Sequence, residues 1–108
     1  GVAIDGGRAL MTYGGKYFAL SRGEKRSVES IPKFGIEGRN LDGKPTICGK
    51  TLYVSSRVNG RVSRVDLSEF EAPRWVESVA LEGNPGLVRE RGKKMIIPAG
   101  YQGLLVEK

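Results

Sequence analysis

Histidine is absent from this chain of 108 residues, and cysteine occurs only once, at Cys48. Without an imidazole the chain holds no Ser-His-Asp or Cys-His nucleophile system and no zinc site that uses histidine. A lone cysteine also excludes an intrachain disulfide and a Cys-x-x-Cys site. Cys48 ends the strand-like run 45–48, where we expect a small buried hydrophobic residue rather than a reactive thiol. We accordingly expect no metal and no cofactor.

Long apolar runs are also lacking. No segment approaches the roughly 18 apolar residues of a membrane-spanning helix, and the first residues do not resemble a signal peptide. We therefore expect no membrane partner.

Acidic residues are outnumbered, with 12 Asp and Glu against 18 Lys and Arg, for a net charge of +6. The excess is spread thinly along the chain, and the densest basic run, 89–94, contains Glu90. A nucleic-acid surface concentrates its basic residues on one face, with aromatic residues between them. The charge therefore favours an acidic partner or plain solubility over nucleic acid.

Helical periodicity is missing too, because Gly or Pro interrupts almost every window of a dozen residues. Short apolar or alternating runs recur instead, each followed by a turn that contains Gly. This pattern is typical of antiparallel strands joined by tight hairpins. The sequence thus predicts a single all-β domain over residues 1–108.

A repeat is present within these strands. The pairs Gly15-Lys16, Gly49-Lys50 and Gly92-Lys93 each precede an apolar strand, a second Gly-bearing turn and another strand. Successive pairs lie 34 and 43 residues apart. Repeat units of that length, each with several strands, favour propeller blades. We expect antiparallel four-stranded blades of a partial β-propeller, at about 8–44, 45–81 and 87–108, with a small β-sandwich or barrel as the alternative.

Both ends of the repeat are irregular. The strand Val2–Asp5 precedes the predicted first strand, Arg8–Tyr13, and has no place in that first blade, whereas the third blade lacks its outer strand. Since a ring needs at least four blades, we expect strand 2–5 to close the ring or to be exchanged between chains. The expected partner is a second copy, giving a dimer with six blades, or a complementing propeller chain that covers the open blade faces.

The crossing loop Gly83-Asn84-Pro85-Gly86 and the repeat unit at 92–106 resemble the blade repeats of bacterial and archaeal propellers of the LVIVD and YVTN type. This resemblance covers residues 45–108 and implies blades that are joined by Gly- or Pro-containing crossing loops. The first unit departs from the pattern, because only Phe34–Glu37 offers a very short outer strand. The chain carries neither a sialidase-type Asp-box nor a WD dipeptide.

Loops at one end of a propeller usually meet the ligand, because the blades hold them rigidly. The expected ligand-binding residues of this face are Arg22, Arg39, Asp42, Arg57, Asn59, Tyr101 and Gln102. Arg22 and Arg57 occupy matching places in two repeats, and paired guanidinium groups can hold a carboxylate or a sulfate. Asp42 and Asn59 also fit a purely structural role in their turns.

Two functions fit this arrangement. The first is a non-catalytic module, oligomerising or part of a larger propeller, whose loop face binds a protein or an acidic saccharide. The alternative is a lobe of a carbohydrate-active enzyme, a lyase or glycoside hydrolase, with a site shared across the ring. Only Glu24 with Asp42, or Tyr101 with Arg57, offers acid–base groups for it. An enzyme of this kind would place two carboxyl groups about 5–10 Å apart at the mouth.

Overall fold

The computed structural model describes residues 2–5, 8–13, 16–22, 28–33, 43–69 and 72–108. For the first four ranges it gives the strands and their pairing, together with the exposure of Val2 and Ile4. The all-β prediction is confirmed, because the described residues form eleven β-strands and one short 3-10 turn, Gly100–Gln102. Within these residues, no helix is both long and apolar enough to cross a membrane.

The first sheet is an antiparallel meander of four consecutive strands. Its strands are β1 (Val2–Asp5), β2 (Arg8–Tyr13), β3 (Lys16–Arg22) and β4 (Val28–Lys33). The strand β1 pairs with β2 in antiparallel register, with Asp5 opposite Arg8. It is thus an edge strand of its own chain's first sheet, which corrects the expectation that Val2–Asp5 has no place there. The predicted short strand Phe34–Glu37 lies outside the described residues.

The second sheet repeats the same meander. Its strands are β5 (Lys44–Cys48), β6 (Thr51–Ser56), β7 (Arg61–Asp66) and β8 (Arg74–Ala80). Gly49 and Gly60 in its first two turns both adopt φ of 61°, a left-handed conformation that glycine takes without strain. A register shift interrupts the pairing of β7 with β8 beside Arg64 and Val65. Such bulges are common where a strand lies at a sheet edge.

The third sheet has three strands in the order β11-β10-β9. They are β9 (Arg89–Arg91), β10 (Lys94–Pro98) and β11 (Leu104–Val106). The first strands of the three sheets are neighbours, since β5 contacts both β1 and β9. In the described residues none of the sheets closes into a barrel, so the barrel alternative is not observed.

The second sheet carries buried apolar side chains on both faces, because alternate residues of β6 and β7 point to opposite sides. Tyr53 and Val62 face the third sheet and pack with Val88, Met95 and Ile97. Leu52, Val54 and Val65 point to the opposite face and are at most 1% exposed. Each such side chain contributes about 1.5–3 kcal/mol when it leaves water. This two-sided burial fixes the position of the turns at the ends of β5, β6 and β7.

Candidate functional site

An open cleft of about 370 Å³ lies where β6 ends and the turn to β7 begins. Residues from two neighbouring strands and their turns line it, including Lys44, Ser55, Ser56, Arg57, Val58 and Asn59. Lys44 reaches this end of the sheet because it pairs with Ser55 across β5 and β6. The two cations, Lys44 and Arg57, are both exposed, and no described lining residue is acidic. The cleft is thus positively charged.

Backbone geometry fixes the shape of this cleft. A Cβ on Gly43 would lie 2.1 Å from the Ser55 carbonyl oxygen, and Gly43 has φ of 138°, so only glycine fits there. In the turn, the backbone N–H of Asn59 donates to Ser56 Oγ over 3.2 Å. The Oγ of Ser55 is buried and has no hydrogen-bond partner among the described residues. The cleft therefore combines a backbone of fixed conformation with a hydroxyl group, that of Ser55, that no described residue binds.

A chain of hydrogen bonds links this turn to the 3-10 turn of the third sheet. The Leu81 N–H donates to the Gly60 carbonyl over 2.7 Å. The Gly83 N–H donates to Oε1 of Gln102, also over 2.7 Å. The crossing segment 81–83 thus joins turns of neighbouring sheets at one end of the molecule. Gln102 has a structural partner there, whereas Tyr101 is 81% exposed.

The structure brings only some of the predicted site residues together. Arg57 and Asn59 line one cleft, as a ligand site there requires. Arg22 ends the third strand of its sheet, whereas Arg57 follows the second strand of the next sheet. Turns after the second and third strands of a meander lie at opposite ends of the sheet, so the two arginines do not occupy matching places. Arg39, Asp42 and Glu24 lie outside the described residues.

A second group of polar residues, which was not predicted from the sequence, lies between the second and third sheets. Tyr53, Arg64 and Glu77 form a row across β6, β7 and β8. Arg64 binds Glu107 through Nη2, at 2.9 Å and 3.0 Å from the two carboxylate oxygens. Its Nη1 lies 2.9 Å from Glu77 Oε1. Across the same interface the Tyr53 hydroxyl donates to Glu90 Oε1 over 2.5 Å.

Charge and burial shift the pKa values of these groups. The Arg64 guanidinium, followed by the Met95 N–H, lowers the pKa of Glu107 from its ordinary value. Burial, followed by the hydrogen bond with Glu90, raises the pKa of the Tyr53 phenol well above its usual range. Glu107 is thus held ionised and Tyr53 neutral. Neither group has a pKa near 7, the range that proton transfer requires.

Cys48 lies at the margin of the same interface. It is partly buried and packs against the cluster that contains Tyr53 and Met95, in line with the expected packing role. Burial, and then the negative charge of Glu90, raise the pKa of its thiol. A raised pKa keeps the sulfur protonated at neutral pH, whereas a reactive thiol needs a lowered one.

The described residues hold no cluster of three or more Asp, Glu, His or Cys side chains that could bind a metal ion. They offer two polar places: the basic cleft at the β6–β7 turn and the ion-pair network around Arg64. In the network, Arg64 is bound by Glu77 and Glu107, whereas the cleft leaves two cations exposed to solvent. The chain matches no protein-family model, no curated protein and no solved structure.

Proposed function

We propose that the chain is a non-catalytic partial β-propeller module that binds an acidic saccharide in the cleft at the β6–β7 turn. Three consecutive meander sheets with neighbouring first strands support the propeller part of this proposal. Propeller blades are antiparallel meanders arranged around a common axis, with the first strand innermost. On this basis the turn 57–60 belongs to a face where ligands are commonly bound.

The binding part depends on one observation: Lys44 and Arg57 meet at a cleft whose described lining carries no acid. A guanidinium group binds a carboxylate or sulfate through two parallel hydrogen bonds, and a nearby ammonium adds charge. The Asn59 amide can hydrogen-bond a sugar hydroxyl. Val58 is 96% exposed and offers an apolar surface to the C–H face of a sugar ring. The volume of about 370 Å³ is that of a small-molecule site rather than a protein interface.

The enzyme alternative has less support from the same geometry. Glu77 and Glu107 are the two acidic residues in the described lining of a second cleft, of about 280 Å³. Arg64 binds both of them, and it lowers the pKa of Glu107. A glycoside hydrolase needs one carboxyl group that stays protonated near neutral pH. This pair is therefore better explained as an ion pair that joins two sheets.

The proposal is tested by titrating the chain with a trisaccharide of uronates and with the neutral trisaccharide of the same linkage. We expect the uronate to bind and to shift the amide resonances of residues 55–60, and the neutral sugar to leave them unchanged. Because hydrogen bonds to charged groups contribute about 1.5–3 kcal/mol, Arg57→Gln should weaken binding about tenfold or more. Calorimetry measures the affinity of each variant.

Arg91→Gln is the matched control, because it makes the same charge change at an exposed position of the third sheet. We expect it to leave the affinity within about twofold, since a remote surface charge is screened by salt. Equal weakening by Arg57→Gln and Arg91→Gln would mean that the uronate responds to net charge alone. That result, or no binding of the uronate, would overturn the proposed function.

A further inference from the structure

The strand β11 leaves a row of backbone hydrogen-bonding groups open. The Glu107 N–H donates to the Met95 carbonyl and the Ala99 N–H to the Gly103 carbonyl, so residues 103 and 107 face β10. In an antiparallel pair, alternate residues form the hydrogen bonds with the neighbouring strand. Leu104 and Val106 therefore direct their N–H and C=O groups away from β10. The sheet order β11-β10-β9 places no described strand on that side.

The last strands of the other two sheets, β4 and β8, carry features that discourage pairing with a further strand. The strand β4 contains Pro32 and Lys33. The strand β8 begins with Arg74, carries Glu77 and lies beside a bulge in the register. Proline, charge and bulges are the usual protection of an exposed sheet edge. The sequence Leu-Leu-Val of β11 has none of them and is typical of a strand that is paired on both sides.

Apolar side chains accompany this open edge. Leu104 is 63% exposed and Val106 is 58% exposed, and they lie on the face of the third sheet that points away from Tyr53. Towards β9 the same face becomes basic, with Arg89, Arg91 and Lys94 all exposed. Burial of the whole face would bury three cations, whereas the edge itself carries no charge between residues 104 and 106. The edge, not the face, is the surface suited to association.

We propose that two copies of this chain associate through their β11 strands, antiparallel about a twofold axis at Leu105. This register pairs Leu104 of one copy with Val106 of the other, twice, so that all outward N–H and C=O groups of these residues find partners. It matches the commonest oligomer symmetry, in which one surface pairs with itself. The result is a continuous six-stranded sheet across the two third sheets.

Side chains are complementary in this register as well. Leu104 and Val106 from both copies form one apolar patch, and the two Leu105 side chains meet on the opposite face, as directly opposed residues do. There Leu105 already lines the cleft of about 280 Å³ with Val79 and Leu81, so the second copy extends that apolar surface. Glu107 lies opposite Gly103 of the second copy, so no like charges meet along the edge.

The test is sedimentation equilibrium of the full chain over a range of concentrations. An interface of a few side chains and four hydrogen bonds predicts weak association, with a Kd on the order of 100 µM. We expect the double variant Leu104→Lys, Val106→Lys to be monomeric at concentrations where the unaltered chain is dimeric. Added salt should strengthen the unaltered dimer, because it screens the repulsion between two chains of net charge +6.

The double variant Val58→Lys, Val76→Lys is the matched control. It adds the same charge at two exposed apolar positions, one of which lies on the outer strand β8. We expect it to dimerise like the unaltered chain. A monomeric unaltered chain, or equal loss of dimer in both double variants, would overturn the proposal, and so would a loss confined to the control.

Hydrogen exchange on the unaltered chain gives a second measurement that does not depend on how the variants fold. The amide protons of Leu104 and Val106 should exchange more slowly as dimer forms, whereas a concentration-independent rate contradicts the β11 interface. The saccharide proposal is separable from this one. Arg57→Gln should leave the dimer mass measured by sedimentation unchanged. The double variant Leu104→Lys, Val106→Lys should still bind the uronate.

Discussion

The guanidinium group of Arg64 lies over the ring of Tyr53, with its Cζ 5.5 Å from the ring centroid. The same group binds Glu107 on the third sheet and Glu77 on its own sheet. Its side chain is 21% exposed, so this charge is largely withdrawn from water. One residue thus joins a cation–π contact, an ion pair within a sheet and an ion pair between sheets. Through Glu107, Arg64 contributes directly to the contact between the second and third sheets.

Replacing Arg64 by Met should lower the free energy of unfolding by about 2–3 kcal/mol, because it leaves Glu107 and Glu77 without their cation. Arg64→Lys should lose less, since the charge remains but the two-pronged geometry does not. Urea denaturation followed by circular dichroism measures both. Arg61→Met is the control, because Arg61 is exposed on the same strand and should cost at most about 0.5 kcal/mol. Equal losses at positions 61 and 64 would contradict the role assigned to Arg64.

At alkaline pH, Tyr53 should ionise later than an ordinary tyrosine. Burial and the hydrogen bond with Glu90 raise its folded pKa above the unfolded value of about 10. Its contribution to stability is therefore fully present below pH of about 10 and is lost as the pH rises further, because only the unfolded state releases the proton. Absorbance titration at the phenolate band should show a late step that Tyr53→Phe removes. A late step that persists in Tyr53→Phe would assign it to another tyrosine.

At acid pH the sign is opposite for Glu107. Its folded pKa is lowered by the Arg64 hydrogen bonds and then by the Met95 N–H. The resulting stability is present above the unfolded glutamate pKa of about 4.3 and is lost as the pH falls through the folded value. Glu107→Gln should therefore flatten the acid side of the profile of unfolding free energy against pH. Glu82→Gln removes one carboxylate at an exposed position and is the matched control, and equal flattening by both variants would contradict the role of the Arg64 hydrogen bonds.

The strands themselves were predictable from the sequence, since apolar runs and Gly-bearing turns are local signals. The predicted strand Arg8–Tyr13 has the observed bounds, and the strand-like run 45–48 is observed as Lys44–Cys48. Pairing is less local. Because Val2–Asp5 was treated as a spare strand, each later strand of the first sheet was assigned one place too early. The alternating pattern of Val2–Asp5 indicates a strand, but four residues do not indicate which neighbouring strand they pair with.

In the candidate site, too, the residues with a local signal were predictable and those joined by long-range contacts were not. Arg57 and Asn59 were predicted because they lie in a turn that follows a clear strand, and they share a cleft in the structure. The network around Arg64 was not predicted, because its bonds join residues that are far apart in the sequence. Tyr53 and Glu90 are 37 residues apart, and Arg64 and Glu107 are 43 residues apart. Such bonds depend on how two sheets pack. Alternation within β7 shows only that Arg64 shares a face with Val62, and that was the available signal.

The crossing segment between the second and third sheets should tolerate no side chain at position 83. A Cβ on Gly83 would lie 2.1 Å from the Ala99 carbonyl oxygen and 3.1 Å from Gln102 Oε1. Gly83→Ala must therefore move the 3-10 turn away or break the Gly83–Gln102 hydrogen bond. We expect a loss of about 3 kcal/mol or more in the free energy of unfolding, measured by urea denaturation.

Gly92→Ala separates this close approach from the general cost of replacing a glycine. Gly92 has φ of 65°, but no atom lies within 4 Å of the Cβ position, so only the left-handed backbone opposes alanine there. That conformation costs a non-glycine residue about 1–2 kcal/mol. Gly83→Ala should thus destabilise the chain clearly more than Gly92→Ala, and should also change the amide resonances of residues 99–103. Similar losses in the two variants, with those resonances unchanged, would show that the crossing segment does not lie against the 3-10 turn.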